Sequence, residues 1–199
     1  MADNKRMESA ILDLLATQGL RKVELEWRVG QKRDGIFYPG VPRSRWDKMK
    51  AALDASPAFV KMASEYTEYL DFDEHKGKLV VQEGVEPHVM HKQKRAFADV
   101  DHGAMCIRES LAIESEDAYD RPPLPTRLRR HKKRWSYVYR NTFQVDLTLV
   151  TSNAPPYNDA EEEVAEVEVE ICGRGQYVRQ PLEYLRRFGE SILMDMMAF

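Results

Sequence analysis

Cysteine is almost missing from this chain of 199 residues: Cys106 and Cys172 are the only two. A disulfide framework is therefore excluded, and a reducing, intracellular compartment is the expected setting. Two thiols and five scattered histidines give no zinc-ligand spacing. Long apolar runs are missing as well. No stretch approaches the ~18 residues of a membrane span, so no membrane partner is expected. The opening MADNKRMESA holds no secretory apolar core, and the chain starts almost directly at its first expected helix, as a trimmed domain would. There is no internal repeat and no low-complexity segment. An excess of one charge is also lacking: 30 Lys+Arg against 33 Asp+Glu leave a net −3. A general nucleic-acid coat or a membrane-surface protein would be strongly basic.

Charge itself is plentiful, at 32% of residues beside 43% apolar ones. That is enough apolar material for a core, and the length fits a single domain over residues 1–199. The charge is segregated. RLRRHKKR at 127–134 holds six Arg or Lys in eight residues, and EEEVAEVEVE at 161–170 holds six Glu in ten. Blocks of this kind often mark tails or binding elements. Here both run into alternating apolar and aromatic residues, which is strand chemistry.

A helix is expected over 5–18, where Met7, Ile11, Leu14 and Leu15 share a face. Residues 22–30 alternate, with Val23, Leu25, Trp27 and Val29 opposite Glu24, Glu26 and Arg28. Pro39, Gly40 and Pro42 predict a loop. Ser44 is then expected to cap a helix to about Ala55, with Trp46, Met49, Lys50 and Leu53 on one stripe. Two or three strands follow between 64 and 83, and another over 88–99. Residues 105–114 place Arg108, Ser110 and Glu114 opposite Ile107, Leu111 and Ile113. Residues 130–140 place Arg130, Lys132, Arg134, Ser136 and Arg140 opposite His131, Lys133, Trp135, Tyr137 and Tyr139. Residues 143–151 set Gln144, Asp146 and Thr148 against Val145, Leu147 and Leu149. Residues 163–171 set Glu166, Glu168 and Glu170 against Val167, Val169 and Ile171. A final helix is expected over about 181–197.

Same-face glutamates two residues apart along a strand lie roughly 7 Å from each other. Each pair repels by ~0.6 kcal/mol in water and ~2.4 kcal/mol at an effective dielectric of ~20. Arg130, Lys132 and Arg134 repeat the problem with opposite sign. Two arrangements relieve it. In one, the strands lie on an open sheet and cancel each other as a salt-bridge lattice. In the other, a closed antiparallel β-barrel turns its charged faces into a polar lumen and its apolar faces outward against helices. A crowd of carboxylates inside a lumen selects a hard cation, Mg²⁺ or Mn²⁺. A crowd of Arg and Lys selects an anion, and phosphate matches the guanidinium fork. Together they point to phosphoryl transfer.

Val23-Glu24-Leu25-Glu26-Trp27-Arg28 resembles the Glu-x-Glu-x-basic signature of the triphosphate tunnel metalloenzymes. Further segments resemble, in order, the fungal and protozoan branch of that superfamily, the metal-dependent mRNA-capping RNA 5′-triphosphatases. FYPGVPRSRWDKMKAAL at 37–53 is similar to its Gly-Val turn and helix. Ile107-Arg108-Glu109-Ser110 leading to Glu114 is similar to its Arg-x-Ser…Glu strand. Arg130 to Tyr137 is similar to its Arg-x-Lys-x-Arg-x-Ser-Tyr strand, Asp146-Leu147-Thr148 to its Asp-Leu-Thr strand, and Glu166 to Glu170 to its last glutamate strand. HKQKR at 91–95 fits its basic strand loosely. Gln144 stands where the branch often has an arginine.

The resemblance covers roughly residues 22–172 and implies a mainly β (α+β) fold, a barrel tunnel with a charged interior flanked by a few helices. It implies hydrolysis of the γ-phosphate of triphosphate-ended RNA, the first step of cap formation. Glu24, Glu26, Glu168 and Glu170 would ligate the metal, with Glu166 beside them. Lys132 and Arg134, with Arg28, Lys94, Arg95, Arg108 and Arg130, would contact phosphates. Glu114 would orient the attacking water, and Asp146 would hold a basic neighbour. A guanylyltransferase partner and a nuclear location follow from the same role. The superfamily signature also serves hydrolysis of inorganic tripolyphosphate, thiamine triphosphate or NTP, and a non-catalytic triphosphate-binding module is a further alternative.

Overall fold

The computed structural model describes residues 23–70, 77–119, 128–153 and 163–171, with Ser9, Arg187, Gly189, Ser191, Leu193 and Met194. Nine strands and one complete helix lie within these stretches: β1 Val23–Arg33, β2 Ile36–Pro39, α1 Arg43–Ala55, β3 Phe59–Tyr69, β4 Lys78–Gln82, β5 His88–His102, β6 Met105–Ala118, β7 Arg129–Tyr139, β8 Phe143–Ser152 and β9 Glu163–Ile171. Of the expected helix over 5–18, only Ser9 is described, and it is helical; the rest lies outside the described residues. The described positions at 187, 189, 191, 193 and 194 are helical, within the expected 181–197.

The strands pair in the order β1-β6-β5-β4-β3-β7-β8-β9, all antiparallel, and β9 pairs back onto β1. The sheet therefore closes into an eight-stranded barrel, and the open-sheet alternative is overturned. β2 is a short extra strand on β1. No strand was expected over 36–38 and Pro39 was expected in a loop, but Asp34 and Gly35 both take positive φ, 50° and 77°. That turn matches strand twist and returns the chain as a hairpin.

Closure decides which faces are wet. The core lies outside the barrel wall: Leu25 and Trp27 of β1, Val145 and Leu147 of β8, and Val167 and Val169 of β9 pack with Trp46, Met49 and Leu53 of α1. Trp135 meets Trp46 edge-on at 5.4 Å, and the Tyr137 hydroxyl donates to Asp54 at 2.8 Å. Both aromatic residues thus point outward onto the helix, as alternation predicts. Leu193 joins the same core, and Gly189 sits where a Cβ would lie 2.6 Å from the Trp27 ring. The cap of α1 corrects the sequence reading. The helix starts at Pro42, whose carbonyl accepts from Arg45 N at 2.9 Å and Trp46 N at 3.1 Å. Ser44 is already helical, and no side chain caps the end.

Candidate active site

The residues opposite the core face line the lumen, and register sets their neighbours. Glu26 of β1 lies opposite Ser110 on one side and Glu170 on the other; Arg28 lies opposite Arg108 and Glu168. Around the barrel, Glu170 faces Gln144, Glu168 faces Asp146 and Glu166 faces Thr148. Arg134 lies opposite Thr148 and Ser64, Lys132 opposite Tyr66, and Arg130 opposite Glu68. Segments more than a hundred residues apart in sequence thus place glutamates on the β1–β9 side and cations on β7. Glu26, Glu68, Lys132, Asp146, Glu166 and Glu168 are all buried.

Ion pairs tie the two sets together. Arg28 bridges Glu26 at 3.1 Å and Glu168 at 2.7 Å. Arg134 reaches Asp146 at 2.9 Å and Glu168 at 3.6 Å, and its Nε donates to Thr148 Oγ1 at 3.2 Å. Gln144 donates to both Asp146 oxygens at 3.1 Å. Asp146 thus lies against a basic neighbour, and Gln144 against Asp146. Lys132 lies 2.9 Å from Glu68.

Protonation follows from crowding. Burial, then Asp146, Glu24 and Glu168, push the Glu170 carboxyl up to about 9. Burial is also the main cause raising Glu26 and Glu24. Glu168 is the exception: burial alone would raise it, but Arg28 and Arg134 hold it down to about 2.

The four carboxylates expected to hold a metal are thus on adjacent strands of one inner wall. Among the described residues no three such groups converge as a formed metal cage; Arg28 and Lys92 sit between them instead. The donor set still fits a hard divalent cation. It is all oxygen, and the surplus of buried carboxylate that drives Glu170 upward is what such a cation relieves. Glu114 stands on the same wall, 3.6 Å from Lys92. Two of the expected phosphate contacts stand apart. Arg95 is exposed, at a break in the β5–β6 register between Lys94 and Ala96. Arg108 already donates twice to Asp99, at 2.7 and 2.9 Å. Lys94 is exposed and lies opposite Ala112 on the inner face.

Four lumen residues were not singled out from the sequence. Lys92 contacts Glu24 at 2.5 Å and Glu26 at 3.2 Å; alternation back from Lys94 would have found it. Glu68 and Lys78 pair at 3.9 Å. The Tyr66 ring lies 5.9 Å from the Lys132 ammonium and 5.7 Å from the Arg134 guanidinium. Glu68 and Tyr66 alternate along β3, but nothing local says which way they point.

A family model described as "mRNA capping enzyme, beta chain" matches residues 107–180. The 5′RNA triphosphatase A449R of Paramecium bursaria Chlorella virus 1 is 24% identical over 195 residues, 98% of either chain. Among solved structures, the S. pombe RNA triphosphatase Pct1 superposes with a TM-score of 0.70 at 18% identity, covering 97% of this chain and 90% of its own. A Mimivirus capping enzyme triphosphatase gives 0.63 at 13%, covering 99% and 96%. The resemblance read from the strand motifs is borne out, and the chain has the tunnel fold of these proteins.

Proposed function

We propose that this chain is a metal-dependent RNA 5′-triphosphatase of mRNA capping, a single catalytic unit that hydrolyses the β–γ anhydride of nascent RNA to leave a diphosphate end. The observation that carries the reading is the enclosed lumen itself, with Glu26 and Glu170 opposed on one side and, on another, Lys132 buried beside a half-buried Arg134. Glu24, Glu26, Glu168 and Glu170 would hold Mg²⁺ or Mn²⁺. Such an ion, when bound, polarises a phosphoryl oxygen and offsets the charge that develops there.

The chain's own residues do the rest. Lys132, Arg134 and Arg130 bind the phosphate oxygens, and Arg28 links the carboxylate wall to them. Asp146 and Thr148 fix the Arg134 guanidinium before substrate arrives, so little reorganisation is needed at the transition state. Glu68 keeps Lys132 charged and in place. Glu114 accepts a hydrogen bond from the attacking water and orients it in line with the leaving diphosphate oxygen. The lumen walls exclude bulk water, which strengthens each of these contacts.

Partners follow from the reaction: a triphosphate RNA end as substrate, a guanylyltransferase to receive the product, and a nuclear setting for both. None of the described helices is long and apolar enough to cross a membrane. The test is release of γ-labelled phosphate from triphosphate-ended RNA with Mg²⁺ or Mn²⁺. Release should disappear with chelator and with Glu26→Ala, and it should survive competition by ATP. Turnover of thiamine triphosphate or inorganic tripolyphosphate alone would replace RNA as the substrate, and binding without turnover would make the chain a binding module.

A further inference from the structure

β5 pairs with β6 continuously except at one point. Before it, Lys92 and Lys94 lie opposite Glu114 and Ala112; after it, Phe97 and Asp99 lie opposite Ser110 and Arg108. Arg95 is the extra residue between. Unbroken alternation from Lys92 and Lys94 would turn Ala96 and Ala98 inward. The bulge turns Phe97 and Asp99 inward instead, which is how bulges at barrel rims re-aim side chains.

The outcome is an aromatic ring on the wall that also carries Lys92, Lys94 and Glu114. Phe97 is 53% exposed, although Ser110 and Glu26, its neighbours across the wall, are 2% and 3% exposed. The ring is also braced. The Arg108 guanidinium carbon lies 4.6 Å from the Phe97 ring centre and 4.5 Å from that of Phe37. Asp99 accepts both guanidinium hydrogen bonds and pairs with Lys32 at 3.3 Å, so the guanidinium is held in one orientation. The Lys94 ammonium is 5.7 Å from the same ring. An open aromatic face, stiffened by a fixed cation and continuous with a phosphate-binding lumen, suits a nucleobase carried on a phosphate chain. Spacing agrees. Phe97 is two strands from Glu26, about 10 Å along the wall at ~4.8 Å per strand, comparable with the reach of a triphosphate and its ribose.

We propose that Phe97, braced by Arg108 and Asp99, stacks on the first nucleobase of the RNA and so separates nucleic-acid ends from inorganic polyphosphate. This rests on the RNA triphosphatase reading, and it gives Arg108 the task of bracing that ring in place of a phosphate contact.

The experiment compares wild type, Phe97→Ala and Phe97→Trp on three compounds: a 5′-triphosphate oligoribonucleotide, the same oligomer with an abasic first nucleoside, and inorganic tripolyphosphate. Turnover and equilibrium binding of the fluorescently labelled oligomers are both measured. Phe97→Ala should raise KM and Kd for the intact RNA about tenfold, with kcat nearly constant. The abasic oligomer and tripolyphosphate should shift less than about twofold, and Phe97→Trp should restore RNA binding. Loss of affinity for all three compounds alike, or for none, overturns the proposal. A wild type that hydrolyses tripolyphosphate but not RNA would defeat the functional reading, while the two binding curves would still decide the role of Phe97.

Discussion

Glu26 and Glu170 lie directly opposite each other across the β1–β9 pairing that closes the barrel. Like charges directly opposed on neighbouring strands destabilise a sheet. Arg28 relieves Glu26 at 3.1 Å, yet Glu170 remains pushed up to about 9 by burial and by Asp146, Glu24 and Glu168. Near neutral pH the seam therefore carries Glu170 as a neutral carboxyl, and a further cation beside it would favour the ionised form.

One consequence can be measured without substrate. Mn²⁺ or Mg²⁺ should raise the melting temperature of the wild type, by the equivalent of about 2.7 kcal/mol at a hundredfold excess over Kd. Glu170→Gln should melt no lower than wild type in chelator, since the carboxyl it replaces is already held neutral, whereas Glu26→Gln should melt lower, since Arg28 and Lys92 each lose a buried partner; neither should gain much from the ion. Phosphate release should fall more than about 100-fold in both. Glu163→Gln, exposed at the start of β9 and paired with Arg43, should stay within about twofold in activity. Equal losses from Glu163→Gln and Glu170→Gln would contradict the inward register of β9.

Glu68 makes the fold acid-sensitive. It is buried at 4% exposure, and although burial would raise its carboxyl, Lys132 and Lys78 hold it down to about 2. A carboxyl held there rather than at an ordinary 4.5 contributes about 3 kcal/mol. The folded value lies below the unfolded one, so this contribution is full above pH 4.5 and is lost as pH falls from 4.5 toward 2. Urea unfolding at pH 7, 4 and 3 should show that loss in the wild type. Glu68→Gln should lack it, and should already be about 3 kcal/mol less stable at pH 7, because the buried Lys132 ammonium and the half-buried Lys78 lose their counter-charge.

Asp146→Asn should act through Arg134 and not through the fold's edges. The variant keeps the shape and one of the two Gln144 hydrogen bonds but removes the charge 2.9 Å from the guanidinium. A reduction of about 10- to 100-fold in kcat is expected, the range for partners that orient a working group. KM for the triphosphate end should rise less than kcat falls, and Asp146→Glu should recover part of the loss. A change in KM alone would mean that Asp146 serves binding and not alignment.

The sequence made the charged strands legible because their two faces differ so sharply. Glu24, Glu26 and Arg28 against Leu25 and Trp27, or Glu166 to Glu170 against Val167 and Val169, admit one reading once the charged face must be enclosed. The charge pattern left an open sheet and a closed barrel both possible; closure was what the family resemblance implied, and register placed the same residues on the inner wall. Lys92 was legible by alternation from Lys94 and was passed over; what the bulge at Arg95 hid is the face of the residues after it, Phe97 and Asp99. Glu68, Tyr66 and Lys78 were hidden for another reason: each acquires meaning from β3–β7 and β3–β4 pairings far apart in the chain. β2 was missed because four residues are too few to show a period, and only the Asp34–Gly35 turn signals the return. Ser44 looked like a cap because of its residue type, but the backbone enters the helix at Pro42.

Gly30 offers a stability test that bears on the same wall. It follows Arg28 on the inner face of β1 and lies opposite Pro39 of β2. A Cβ placed there would come 2.3 Å from the Tyr38 carbonyl oxygen and 2.6 Å from the Phe37 ring. The carbonyl is backbone and cannot swing aside, so Gly30→Ala must displace β2, and Phe37 with it. Overpacking of this kind costs about 1–3 kcal/mol, which for a chain of this length lowers the melting temperature by several degrees. Phe37 is also the second ring against the Arg108 guanidinium, at 4.5 Å. The displacement should therefore loosen Arg108 as well as β2, seen as faster exchange or greater disorder of that side chain by NMR. A Gly30→Ala protein with unchanged melting temperature would mean that β2 does not press on β1 as closely as the pairing indicates.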